Sequence, residues 1–142
     1  MKAPDSLARL ITHQLTQSQG WIGFDRFMAL ALYAPGLGYY SRSSPKLGHM
    51  PDSGSDFVTA PELSPWFGRA LSRSVAEALQ HTGTDEVWEF GAGTGALAQQ
   101  VLDTIGSKIR AYHIIDLSGS LRERQETNLA KVRDRVYWHE LV

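Results

Sequence analysis

The chain of 142 residues contains no cysteine, which rules out a disulfide framework, a thiolate metal site and a cysteine nucleophile. It has no excess of either charge: 14 Lys and Arg stand against 15 Asp and Glu, for a net charge of −1. Such a balance carries no electrostatic footprint for nucleic acid. Long apolar runs are missing as well. The longest, from Phe27 to Ala34, falls far short of the ~20 residues that a membrane-spanning helix needs. The start, Met-Lys-Ala-Pro-Asp-Ser, has no apolar segment of the kind that directs secretion. His13, His49, His81, His113 and His139 show no metal-ligand spacing such as H-E-x-x-H. With 42% hydrophobic and 20% charged residues, these absences predict a globular unit of cytoplasmic location, with no metal, no nucleic-acid partner and no membrane span.

What the sequence does have is a concentration of glycine after a short strand pattern. Val87 to Phe90 is the strand, and Gly91, Gly93 and Gly95 then precede a helical pattern. Residues without a Cβ can take a tight strand-to-helix turn and let a ligand lie against the main chain. The N–H groups opening the next helix favour a carboxylate or phosphate there. Two cofactor classes fit. Gly91-Ala92-Gly93-Thr94-Gly95-Ala96 matches the loose dinucleotide fingerprint G-x-G-x-x-G/A. Counting Glu89, it also matches E-x-G-x-G-x-G of class I S-adenosyl-L-methionine (SAM) methyltransferases. Asp116 ends the next predicted strand, where an acidic side chain can accept both hydroxyls of a ribose. Turn and acid together indicate a nucleoside.

Along the chain, Asp5 or Ser6 is expected to cap an amphipathic helix through Leu7, Leu10, Ile11 and Leu15 that stops at Gly20. Asp25 is expected to cap a second helix, ended by Pro35, Gly36 and Gly38. Ser41 to Asp56, rich in Ser, Pro and Gly, predicts an exposed loop. Ser64-Pro65 opens a third helix with an apolar face of Phe67, Ala70, Leu71, Val75, Ala78 and Leu79, ending near Gly83. Beyond the glycine turn come a helix to Ile105 and a strand from Ala111 to Leu117. Ser120 and Glu123 then form a capping-box pattern for a helix toward Arg133, and a third strand starts at Val136. This alternation predicts an α/β fold: the first half of a Rossmann-like, doubly wound sheet with right-handed crossovers, preceded by helices. The expected division is residues 1–84 as a helical and loop segment covering the cofactor site, and 85–142 as the sheet half.

Several stretches together resemble the MidA-like SAM-dependent methyltransferases. They are Phe27-Met28 with Ala31-Leu32-Tyr33, Gly38-Tyr39-Tyr40, Asp56-Phe57-Val58-Thr59-Ala60-Pro61-Glu62, Ser64 with Phe67-Gly68, and Glu89-Phe90-Gly91-Ala92-Gly93-Thr94-Gly95. Ile115-Asp116-Leu117-Ser118 with Leu121 and Gln125 is similar too. The resemblance runs from about Ile22 onward, and Asp-Phe-x-Thr-Ala-Pro-Glu is its specific part. It implies a class I methyltransferase fold, SAM as donor and a protein substrate or assembly partner. The mitochondrial members are protein arginine methyltransferases that act in assembly of respiratory complex I, which suggests an arginine acceptor. Carried over, it makes Gly91, Ala92, Gly93, Thr94 and Gly95 the turn beside the methionine moiety, with Glu89 near its amino group and Asp116 on the ribose. Phe57, Thr59 and Pro61 would lie close to the cofactor.

An arginine acceptor holds its proton far above neutral pH, so prior deprotonation at pH 7 would cost about 7 kcal/mol. Carboxylates that grip the guanidinium and let the proton leave late are more economical. Glu62 is the candidate for that catalytic part, and an acid stabilised by the dipole of the Ser64 helix is its structural alternative. Family members are much longer. The chain is therefore expected to correspond to their N-terminal portion, to bind SAM weakly if at all, and to be inactive alone. A nicotinamide-dependent oxidoreductase and a non-catalytic assembly module are the competing readings.

Overall fold

A computed structural model of the chain describes residues 6–41, 58–117 and 119–139. Asp5, Phe57 and Ser118 lie outside the described residues, as does the predicted loop apart from Ser41. The chain forms two compact units, residues 1–44 and 45–142. Within the larger unit, the helices Ala60–Leu63 and Pro65–Thr82 pack against the helix Ala96–Ile105 that follows the first strand.

In the smaller unit, α1 (Ser6–Gln17) is followed by α2 (Phe24–Tyr33). The chain leaves α1 through Gln19 and Gly20, with φ of +57° and +88°. Gly20 therefore stands where the sequence predicts the helix to stop. Asp25 is not a cap: Gly23 takes that position, and Asp25 lies in the first turn, at the positive end of the helix dipole. After α2 the chain folds back, and the Tyr39 and Tyr40 amides donate to the Ala31 and Leu32 carbonyls, each at 2.8 Å. Only glycine fits at position 38, where a Cβ would collide with the backbone of Leu32 and Ala34.

The larger unit runs α3 (Ala60–Leu63), α4 (Pro65–Thr82), β1 (Glu86–Phe90), α5 (Ala96–Ile105), β2 (Ala111–Ile115), α6 (Gly119–Asn128) and β3 (Val136–His139). Ser64 caps α4 as predicted, its side chain accepting from the Trp66 N–H at 3.2 Å, and Gly83 closes the helix in the left-handed region. The buried stripe differs from the predicted one. Gly68, Ser72 and Leu79 are buried, whereas Phe67 and Leu71 are 44% and 37% exposed. Close approach to α5 explains the preference for small residues. The Gly68 N–H donates to Gln100 Oε1 at 2.9 Å, and Ser72 turns its hydroxyl onto the Gly68 carbonyl at 2.6 Å.

The three strands are parallel, in the order β1-β2-β3, as the alternation of strand and helix requires. Val87, Tyr112, Ile114, Val136 and Trp138 share one face and pack with Leu79, Val101 and Leu102 of α4 and α5. The register pairs Phe90 with Ile115 and Ile115 with His139. All three strands thus reach one edge at the same level, and Gly91 and Asp116 leave the sheet side by side. Helix α6 begins at Gly119, so Ser120 lies within it and not at the cap position that the spacing predicts. It ends at Asn128, and a 3-10 run from Ala130 to Arg135 replaces its predicted continuation.

Ala is a better helix former than Gly by about 1 kcal/mol, whereas overpacking costs about 1–3 kcal/mol. At position 68 the second effect should win, because a Cβ would meet the Gln100 Cβ, which is fixed to the α5 backbone and cannot swing aside. Gly68→Ala is therefore expected to lower the urea midpoint of unfolding. A raised midpoint would show that the α4–α5 approach does not require glycine.

Candidate functional site

The turn after β1 places three glycines in the left-handed region, with φ of +69° at Gly91, +58° at Gly93 and +82° at Gly95. L-residues with a side chain rarely adopt this region. The turn is anchored at both ends. Gly91 N–H donates to the Ile115 carbonyl at 2.8 Å, which joins it to the end of β2, and Gly95 N–H closes onto Ala92 at 2.9 Å. A Cβ on Gly91 would meet nothing within 4 Å, so the turn is open there, whereas one on Gly95 would press on Leu129 at 3.3 Å. Ala92 is buried in the core beneath the turn. The same five residues thus combine an open position with a packed underside.

Two carboxylates flank the turn. Glu89 is the penultimate residue of β1, half-buried, and accepts the Tyr112 hydroxyl proton through Oε2 at 2.7 Å. Burial pushes its pKa above the ordinary 4.5; the Tyr112 bond opposes that shift, and the nearby Asp116 charge reinforces it. The Tyr112 phenol is itself driven upward by burial and by the Glu89 charge, so it remains a donor at neutral pH. Asp116 follows β2 directly, and its Oδ2 accepts from Gln125 Nε2 at 3.0 Å.

Side-chain amides hold the other side of the turn. Gln125 is fully buried, donates also to the Gly93 carbonyl at 2.9 Å, and accepts from the Trp138 indole at 2.9 Å. Asn128, one helical turn later, donates to the Thr94 carbonyl at 2.9 Å. Thr94 is buried and donates its hydroxyl to Glu62 Oε1 at 2.6 Å, while Gln100 Nε2 donates to the Pro61 carbonyl at 2.6 Å. A groove of about 600 Å³ lies between α3, α5 and α6, with Glu62, Thr94 and Asn128 in its wall. Its lining includes neither Glu89, Gly91 nor Asp116.

The structure thus brings Glu89, the turn from Gly91 to Gly95 and Asp116 to one edge of the sheet. Glu62 reaches the turn through Thr94, and Pro61 is tied to α5 through Gln100. Thr59 sits at the start of α3, where its carbonyl accepts from the Glu62 and Leu63 amides at 2.9 and 3.1 Å. Phe57 lies outside the described residues. Sequence reasoning assigned no role to Tyr112, Gln100, Gln125, Asn128 or Trp138. A signal existed for one pair: Gln125 and Asn128 are three residues apart, on one face of a helix otherwise dominated by charge.

Comparison with known proteins gives this chain a family. Residues 70–142, just over half of the chain, match the family model described as "Putative S-adenosyl-L-methionine-dependent methyltransferase". Among curated proteins, the mitochondrial protein arginine methyltransferase NDUFAF7 homolog of Caenorhabditis elegans is 31% identical over 116 residues, covering 78% of this chain and 27% of that protein. The Danio rerio mitochondrial protein arginine methyltransferase NDUFAF7 is 27% identical over 128 residues, covering 83% of this chain and 29% of that protein. A Burkholderia thailandensis crystal structure bound to S-adenosyl-homocysteine superposes over 100% of this chain and 40% of its own, with a TM-score of 0.84 and 43% identity. A second crystal structure from that organism, solved in native form, covers 100% of this chain and 38% of its own, with a TM-score of 0.78 and 41% identity. The chain spans less than a third of the length of the curated relatives it matches. It belongs to the S-adenosyl-L-methionine-dependent methyltransferase family.

Proposed function

We propose that this chain cradles S-adenosyl-L-methionine and serves methyl transfer to a protein arginine side chain. The observation that carries the reading is the meeting of the left-handed glycine turn with Asp116 at the adjoining ends of two parallel strands. The residues fit such a ligand: the open position at Gly91 admits it to the main chain, and Asp116 offers a carboxylate to ribose hydroxyls. Glu89 offers a second carboxylate to an ammonium group. The cofactor, when bound, supplies an electrophilic methyl group on a sulfonium. This chain's part is to bind and orient, which can lower a bimolecular barrier by about 7–11 kcal/mol. The arginine acceptor is taken from the curated relatives. For Glu62, the bond from Thr94 favours holding α3 against the turn over gripping the acceptor. A nicotinamide dinucleotide is not favoured, given the family match.

NMR titration of the chain with S-adenosyl-homocysteine, up to millimolar concentration, is expected to shift the amides of Gly91 to Gly95 and Asp116. Asp116→Ala should weaken binding by about tenfold or more, the value of a hydrogen bond to a charged group. NAD should not compete. Displacement by NAD, or binding indifferent to Asp116, would overturn the reading.

Glu89→Gln separates stability from binding. Below the ordinary carboxylate value the folded and unfolded wild type both hold the proton, and the penalty on the folded state is absent. As pH rises through the raised pKa of the folded state, ionising a half-buried group costs stability. The amide avoids that cost. The thermal midpoint of the variant should therefore exceed wild type by a margin that grows as pH rises from the ordinary carboxylate range through the raised folded value and stays level above it. Its affinity for S-adenosyl-homocysteine should fall while that for adenosine, which lacks the ammonium, holds. Equal losses for both ligands would place Glu89 away from the amino group.

A further inference from the structure

We propose that Gln125 is a positioning residue for the nucleoside end of the cofactor, its buried amide holding the Asp116 carboxylate and the Gly93 carbonyl in one frame so that recognition of the ribose diol depends on α6 and β3. This rests on the cofactor reading above. The indole N–H of Trp138 can only donate, so the oxygen of the Gln125 amide must face it, at 2.9 Å. The nitrogen is then aimed at two groups that can only accept, the Gly93 carbonyl at 2.9 Å and Asp116 Oδ2 at 3.0 Å. A flipped amide would set oxygen against both acceptors and nitrogen against the indole donor. No exposed surface remains on Gln125 through which water could relieve such a mismatch. Trp138, on the last described strand, thereby decides how a carboxylate at the end of the preceding strand is held. Ordering that carboxylate before a ligand arrives removes a cost of binding it.

A purely structural glutamine would support the fold and leave ligand discrimination alone, and ribose dependence separates the two roles. The probes are S-adenosyl-homocysteine and its 2′,3′-dideoxy analogue, titrated against wild type, Gln125→Leu and Trp138→Phe, with folding followed by circular dichroism and thermal unfolding. Wild type is expected to bind the dideoxy analogue about tenfold or more weaker than the parent. In Gln125→Leu the parent should weaken while the analogue stays within about twofold of its wild-type affinity, so that the ratio collapses toward one. Trp138→Phe removes the N–H and keeps an apolar ring, and the thermal midpoint reports the volume lost with the indole. This variant should narrow the ratio in the same direction by a smaller factor, and it carries the test if Gln125→Leu does not fold. Equal weakening of both ligands would overturn the inference while leaving the cofactor reading intact. Wild type that binds both ligands equally, or neither, would overturn both.

Discussion

A main-chain turn with three left-handed glycines among five residues cannot continue a ladder or a helix, so its carbonyls must find partners elsewhere. A buried carbonyl left without one costs about 1–3 kcal/mol. Much of the larger unit meets this requirement. Gln125 takes the Gly93 carbonyl and Asn128 that of Thr94. The Thr94 hydroxyl reaches across to Glu62. The segment before α4 is tied by Gln100, which also fixes the approach of α4. Together these ties join the turn, or the helix following it, to α6, α3 and α4.

The same ties explain why α6 can be so polar. Its inner face needs donors of fixed direction as well as apolar volume, and Gln125 with Leu129 just beyond the helix supplies both. Amides suit the task because they carry no charge to desolvate. The carboxylates stand in contrasting settings. Glu89 bears a desolvation penalty relieved by one phenol, whereas Asp116 is steadied by a neutral amide. Strain of this sort is common where a site is shaped for a ligand rather than for stability.

Much of this architecture was legible in the amino-acid sequence. Ser64-Pro65 and Gly83 bound α4, and the glycines mark the turn, because caps and left-handed residues act over a few positions. The parallel order follows from strands alternating with helices. The buried stripe of α4 was not legible: the local apolar pattern pointed to Phe67 and Leu71, whereas the approach of α5 favours Gly68 and Ser72. Ser120 looked like a cap by spacing, yet the helix begins a residue earlier.

By itself the sequence determined the strand, the turn, the following helix and the acid at Asp116, each written in residues adjacent along the chain. Only the tertiary structure decided what holds them. Glu89 meets Tyr112, Thr94 meets Glu62, and Gln125 meets Gly93, Asp116 and Trp138. Such bonds join residues from 9 to 32 positions apart, and no local pattern encodes which polar side chain a folded backbone will bring within reach of another.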